Sequence, residues 1–142
     1  MHVETILQTK GVLVHKLTET GTLADAVHLL NAHNIGAIII TDNSGNIAGI
    51  LSERDIVRQL GKNPSGTLAL SVSACMTRGL VTCERTTPIE EVMERMTRHR
   101  IRHMPVVEDG QLLGIISIGD VVKHKIEAVE REAEALRDYI AS

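Results

Sequence analysis

Phenylalanine and tryptophan are absent from this 142-residue chain, and Tyr139 is the only tyrosine. The interior must therefore be filled by Ile, Val, Leu, Met and Ala, and there is no aromatic platform on which the bases of a single strand could stack. Positive charge is also short. Lys and Arg number 15 against 18 Asp and Glu, for a formal charge of −3, which gives no electrostatic case for sequence-independent binding to a phosphodiester backbone. Nowhere do 18 apolar residues run together, and Met1 to Gly11 contain no apolar core before a cleavage site. A soluble, cytoplasmic protein with neither membrane nor nucleic acid as partner is expected.

Cysteine is scarce too. Cys75 and Cys83 lack CxxC spacing and are too few for a zinc cage, so two reduced, small apolar residues are expected. The seven His residues are scattered, and His103 lies beyond the helix that carries His99, so the two do not share a helical face. Neither GxxxxGK[ST] nor HExxH occurs, nor a GxGxxG placed after a strand. These absences point away from an enzyme and from a metal site.

What the chain does contain is a duplication. Gly114-Ile115-Ile116-Ser117-Ile118-Gly119-Asp120-Val121-Val122 restates Gly49-Ile50-Leu51-Ser52-Glu53-Arg54-Asp55-Ile56-Val57. In each, a short apolar run reads as a buried strand, meets a Ser, and passes an Asp into an apolar-periodic helix. In order, Gly11 to Leu17 alternates like a short strand after a polar-apolar lead at Val3 to Thr9. Leu23 to Asn34 has a helical stripe, Ala37 to Ile40 is a strand, Asp42 to Asn46 a hairpin turn and Ile47 to Leu51 the returning strand. Ser52 opens a helix to about Leu60, and Gly61 to Gly66 begins the linker.

The second half follows the same plan, with a strand at Leu80 to Cys83 and a helix at Pro88 to His99 whose Val92, Met93 and Met96 face inward. Strands then follow at Met104 to Val107 and Leu112 to Ile116, and the last helix starts near Ser117. The fold class is α/β (α+β): two β-α-β-β-α repeats packed through their sheets about a pseudo-twofold axis, plus a C-terminal helix. The domain limits are 8–62 and 76–126 for the repeats, 63–75 for the linker and 127–142 for a helical extension. At this length about 70% of the unfolded surface can be buried without disulfides.

The repeated Ser-x-x-Asp admits two readings. It is close to a capping box, in which the hydroxyl accepts from an early backbone N–H and the carboxylate reaches back to the N-terminal side. The same groups can hold a ligand, because free N–H groups at a helix start attract anions and a carboxylate accepts both hydroxyls of a ribose.

The doubled Gly-Ile-[Leu/Ile]-Ser-x-x-Asp-[Ile/Val]-Val, each copy preceded by an Ile/Val strand and a hairpin, resembles a tandem pair of CBS domains over about residues 8 to 126. Such pairs are the regulatory modules of inosine-monophosphate dehydrogenase and of the gamma subunit of AMP-activated kinase. The resemblance implies that Asp55 and Asp120 hold ribose, with Ser52 and Ser117 beside them near ribose and phosphate and Ile50 and Ile115 in the preceding strands. Arg54 inherits a phosphate contact, which Gly119 cannot make. It further implies that backbone from the opening strand and the second strand of one repeat lines the adenine pocket of the other. His15, Ile35, Gly36 and Ala37 would then face the Asp120 cleft, and Thr77, Val81, Ile101, Arg102 and His103 the Asp55 cleft. The run Arg98 to His103 adds a cationic cluster where the family often binds phosphate; Arg98 and His99 fit better as charges offsetting a helix C-terminus, Arg102 and His103 as ligands.

The expected role is a non-catalytic energy or redox sensor that binds AMP, ADP, ATP or NAD in two clefts between the repeats, assembles as a homodimer and signals to a regulated protein. The alternative is a structural dimerisation module whose nucleotide sites are degenerate. Beyond the match, Val122, Ile126, Val129, Ala133, Leu136 and Ile140 recur with heptad spacing, which predicts a helix over Asp120 to Ala141 with a coiled-coil seam.

Overall fold

Capping and turn residues set the element boundaries in the computed structural model, which describes residues 1–142. The order is α1 (Val3–Lys10), β1 (Lys16–Thr18), α2 (Leu23–His33), β2 (Ala37–Thr41), β3 (Ile47–Ser52), α3 (Glu53–Lys62), a 3-10 turn (Thr67–Ala69), α4 (Val72–Cys75), α5 (Ile89–His99), β4 (His103–Glu108), β5 (Gln111–Ser117) and α6 (Ile118–Ala141). The chain forms two compact units, residues 13–81 and residues 1–12 with 82–142. None of its helices is long and apolar enough to cross a membrane.

In the 13–81 unit, Thr22 starts α2 with a reciprocal box. The Asp25 N–H donates to Thr22 Oγ1 (3.2 Å), and the Thr22 N–H to Asp25 Oδ2 (2.9 Å). Asn34, left-handed at φ 51°, ends the helix. Between these caps Leu23, Ala26 and Leu30 recur at helical spacing and pack with Ile38, Ile40, Leu51, Ile56, Val72 and Met76. The sheet has the order β1-β2-β3, parallel then antiparallel. All five residues of β2 are buried, which is why its sequence is a continuous apolar run and does not alternate.

The other unit repeats this logic with different side chains. Arg100 takes the left-handed position after α5 (φ 54°), the place Asn34 holds after α2. Val92 and Met96 are buried as expected, while Met93 is only partly so. β4 and β5 are joined by Asp109 and Gly110, both with positive φ (51° and 75°), the signature of a type I′ turn whose twist suits a two-residue hairpin.

Two expectations need correction, and one segment left without an element acquires one. The Gly11–Leu17 run pairs only from Lys16 to Thr18, and Val12 and Leu13 are 65% and 77% exposed, because the chain crosses there from one unit to the other. Leu80–Cys83 is reduced to one parallel bridge, Cys83 with Val106, because a turn closed by Thr87 follows at once. The lead Val3–Thr9 is helical: Val3, Ile6 and Leu7 share a buried face in the unit of the second repeat. Burying those three side chains contributes roughly 1.5–3 kcal/mol each before ordering costs.

Candidate functional site

Each Ser-x-x-Asp lies where the second strand of a hairpin, β3 or β5, hands over to a helix, so the Ser is extended and the Asp falls on the first helical turn. Ser52 (φ −112°) ends β3. Its backbone N–H and its hydroxyl both donate to Asp55 Oδ2, at 2.9 and 3.1 Å. Asp55 is only 8% exposed. Its second oxygen, Oδ1, lies 3.4 Å from Thr77 Oγ1 and 4.0 Å from the Arg58 guanidinium. Thr77 reaches Asp55 because its backbone exchanges two hydrogen bonds with Ile50 (3.0 and 2.9 Å), and Gly49 leaves room for that approach. The structure thus brings Ile50, Ser52, Asp55 and Thr77 together. Arg54 is exposed on the first turn of α3, and Val81 is half-buried at the end of the same unit.

Ser117 and Asp120 form a complete reciprocal box. The Ser117 N–H donates to Asp120 Oδ2 (2.9 Å) and the Asp120 N–H to Ser117 Oγ (3.1 Å). Asp120 Oδ2 also receives the Lys10 ammonium at 2.6 Å, and the same ammonium donates to the Ile115 carbonyl at 2.8 Å. Burial pushes the Asp120 carboxyl up, but the Lys10 ammonium and the Ser117 N–H outweigh it and hold the group below its ordinary value. Both turns are therefore real helix caps, and both concentrate donors on one carboxylate.

The remaining candidates hold equivalent places in their own units. The Gly36 carbonyl accepts from the Glu53 N–H (3.0 Å), as the Arg102 carbonyl accepts from the Ile118 N–H (2.8 Å). Ala37 pairs with Ser52 as His103 pairs with Ser117. Ile35 and Ile101 donate their N–H groups to Leu30 and Met96 after the helix turns. His15 stacks on His33 with ring centroids 3.7 Å apart. His15, Ile35, Gly36 and Ala37 belong to the 13–81 unit and Asp120 to the other, whereas Ile101, Arg102 and His103 belong to the unit opposite that of Asp55.

Lys10 was missed by sequence reasoning. Gly119 leaves no side chain next to Asp120, yet a cation arrives from α1. A faint signal exists, since Thr9-Lys10-Gly11 echoes Thr77-Arg78-Gly79 ahead of each repeat. Two shallow grooves of about 510 and 300 Å³ lie elsewhere, beside α5 and α6 (Met93, Thr97, Lys125) and beside α2 and α3 (Val27, Asn31, Val57). Neither is lined by Ser52, Asp55, Ser117 or Asp120.

Comparison with known proteins follows the same lines. The CBS domain family model matches residues 12–62 and 72–127. The crystal structure of a CBS-domain containing protein from Agrobacterium tumefaciens is 41% identical and superposes with a TM-score of 0.86 over 87% of this chain and 92% of that one. A CBS domain pair solved in complex with 5′-methylthioadenosine and S-adenosyl-L-methionine is 25% identical, with a TM-score of 0.80 over 90% of this chain and 98% of that one. Among curated sequences, the mitochondrial CBS domain-containing protein CBSX3 of Arabidopsis thaliana is 34% identical over 127 residues, 87% of this chain. The chain spans 62% of that protein and 22% of another from the same plant.

Proposed function

Since this chain belongs to the CBS domain family, we propose that it is a non-catalytic regulatory module that binds adenine nucleotides at its two Ser-x-x-Asp turns and reports their level to a partner. The observation that carries the reading is the doubled turn itself. In each copy a strand and a helix start fix one carboxylate, with backbone N–H groups orienting it, at a place where a ribose diol could donate two charge-assisted hydrogen bonds. The relative solved with 5′-methylthioadenosine and S-adenosyl-L-methionine supports the adenosyl part of the ligand.

AMP, ADP, ATP and NAD all present adenine, ribose and phosphate, and they are the ligand set of the proposal. At the Asp55 site, Ser52, Ile50 and Arg54 are assigned to the ribose and phosphate side and Thr77, Val81 and Ile101 to the adenine side, with Arg102 and His103 beside them as cationic ligands for phosphate. At the Asp120 site, Ser117 and Ile115 take the first role and His15, Ile35, Gly36 and Ala37 the second. A homodimer, a cytoplasmic setting and a separate regulated protein complete the reading. Signalling follows if the nucleotide favours one of two conformations that the partner distinguishes.

A structural dimerisation module remains the second reading, favoured by one observation: both carboxylates already serve as caps. Native mass spectrometry of the protein as purified from cells, followed by calorimetric titration with AMP, ADP, ATP, NAD and S-adenosyl-L-methionine, separates the two. Retained or titratable nucleotide that is lost in the Asp55→Asn, Asp120→Asn double variant supports the sensor. A dimer that takes none of the five compounds makes the chain a scaffold.

A further inference from the structure

The two Ser-x-x-Asp turns share a backbone and differ in what reaches the carboxylate. At Asp55 the visitor is a neutral hydroxyl, Thr77 Oγ1 at 3.4 Å; at Asp120 it is a cation, Lys10 Nζ at 2.6 Å. The residue before the acid changes in the opposite sense, from Arg54 to Gly119. Each turn therefore has a basic side chain of its own, drawn from α3 in one case and from α1 in the other.

Lys10 is held there by packing. Val3, Ile6 and Leu7 of α1 are buried, and Leu7 lies so close over Gly114 that a Cβ there would be 2.7 Å from Leu7 Cδ2. The ammonium is further tied to the Ile115 carbonyl at 2.8 Å, two residues before Ser117 ends the strand. Side-chain exposures of 31% for Lys10 and 23% for Asp120 set the pair apart from freely solvated surface pairs.

This arrangement sets a condition on any ligand. Ribose hydroxyls that span both oxygens of Asp120 compete with the ammonium for Oδ2, and the displaced charge, partly buried, then lacks a counter-ion. A ligand bearing an anion restores the pairing by taking the ammonium as its ribose takes the carboxylate. A neutral adenosyl compound cannot. At Asp55 no ion pair of this closeness has to be broken, since the 4.0 Å approach of the exposed Arg58 is long.

We propose that Lys10 is the ligand-selecting residue of the Asp120 site, admitting ribosides that carry a phosphate and rejecting uncharged ones. The inference rests on the ribose reading of the Ser-x-x-Asp turns given above.

The test uses the full chain carrying Asp55→Asn, so that titration reports the Asp120 site, with AMP and adenosine as probes. With Lys10 in place, AMP binds at least about tenfold more tightly than adenosine; Lys10→Met reduces that ratio about tenfold or more, with adenosine gaining and AMP losing, and Lys10→Arg keeps the preference. Lys10→Gln, which retains a donor for the Ile115 carbonyl, repeats the comparison should Lys10→Met loosen α1. A ratio that Lys10→Met and Lys10→Gln both leave unchanged, with both probes bound, makes Lys10 an anchor for α1 only and overturns the proposal while the nucleotide reading stands. Silence of the Asp120 site to both probes, with AMP still bound at Asp55 in an Asp120→Asn chain, also overturns it. Silence at both sites removes the nucleotide reading as well.

Discussion

A Cβ on Gly114 would lie 2.7 Å from Leu7 Cδ2, and one on Gly49 would lie 2.7 Å from the Thr77 carbonyl oxygen and 2.8 Å from Met76 Sδ. Both glycines let the segment ahead of a repeat lie directly on the strand leading to the Ser-x-x-Asp turn. What crowds them differs. The tip of Leu7 can rotate away, but the Thr77 carbonyl is fixed by the Ile50 N–H. Gly49→Ala is therefore expected to cost about 2–3 kcal/mol and Gly114→Ala about 1 kcal/mol, by the usual range for overpacking. Urea denaturation midpoints check the order, and equal losses would show that the backbone yields as readily as a leucine tip.

Replacing the acids should separate ligand binding from capping. Asp55→Ala and Asp120→Ala are each expected to weaken AMP at their own site by roughly 1.5–3 kcal/mol and to cost the fold about 1 kcal/mol through the lost cap. The corresponding Asn variants should lose binding with a smaller effect on stability. Arg54→Ala should weaken AMP more than adenosine at the Asp55 site. Calorimetry reads all of these, and AMP affinities identical to wild type in both Asp variants would leave the turns as caps alone.

Acid should release α1. The Asp120 carboxyl is raised by burial but lowered further by Lys10 and the Ser117 N–H, to a net value below the ordinary 3.8. A depressed folded value means the unfolded state binds the proton first, so this contribution is present above about pH 3.8 and is lost as pH falls through the folded value. In Lys10→Met, burial is less opposed, and the Asp120 midpoint should move up. Carboxyl-carbon NMR titration measures it directly. A midpoint that stays put would assign the lowering to Ser117 alone.

The two thiols should differ in reactivity. Burial pushes Cys83 up to about 12, with Arg95 only partly offsetting it, and leaves it 2% exposed. Cys75 is raised as well, by burial first and the Asp55 charge second, but it is half-buried. Alkylation at neutral pH should mark Cys75 first and reach Cys83 only through unfolding. Because the Cys83 value is raised on folding, its contribution to stability is whole below the unfolded value of about 9 and falls as pH rises from there toward about 12. Cys83→Ala should flatten that alkaline decline in urea melts, and mass-mapped labelling that finds Cys83 modified first would contradict the buried assignment.

From Ile126 onward α6 leaves its apolar seam uncovered within the chain. Val121 and His124 are its buried residues, while Ile126, Val129, Leu136 and Ile140 are 53%, 52%, 60% and 75% exposed. With Ile126, Ala133 and Ile140 at the a positions, a parallel second copy would set Lys125 against Glu130 and Glu132 against Arg137. Lys125 lies 3.5 Å from Glu90, an exposed pair that such a partner would compete for. Truncation after His124 is expected to weaken self-association without touching either Ser-x-x-Asp turn. Reversing Glu132 should weaken it too and be rescued by reversing Arg137. Sedimentation equilibrium showing unchanged assembly in the truncated chain would dismiss the seam.

Much of this protein was legible in one dimension because its decisive signals are local. The hairpin at Asp109-Gly110, the Thr22 and Ser117 caps and the buried run of β2 depend on residues within a few positions of one another, where backbone sterics and hydrogen bonding act directly. The duplication of Ser-x-x-Asp could be read for the same reason. Tertiary structure alone decided which segment serves which turn. The Val3–Lys10 stripe is too short to be stable as an isolated helix, so it forms on the surface that buries Val3, Ile6 and Leu7. That surface belongs to the unit of the second repeat, which brings Lys10 to Asp120 across 110 positions of sequence. No local rule specifies such a pairing: Leu7 of α1 packs over Gly114 on the strand, and the ammonium one turn further on then meets the carboxylate.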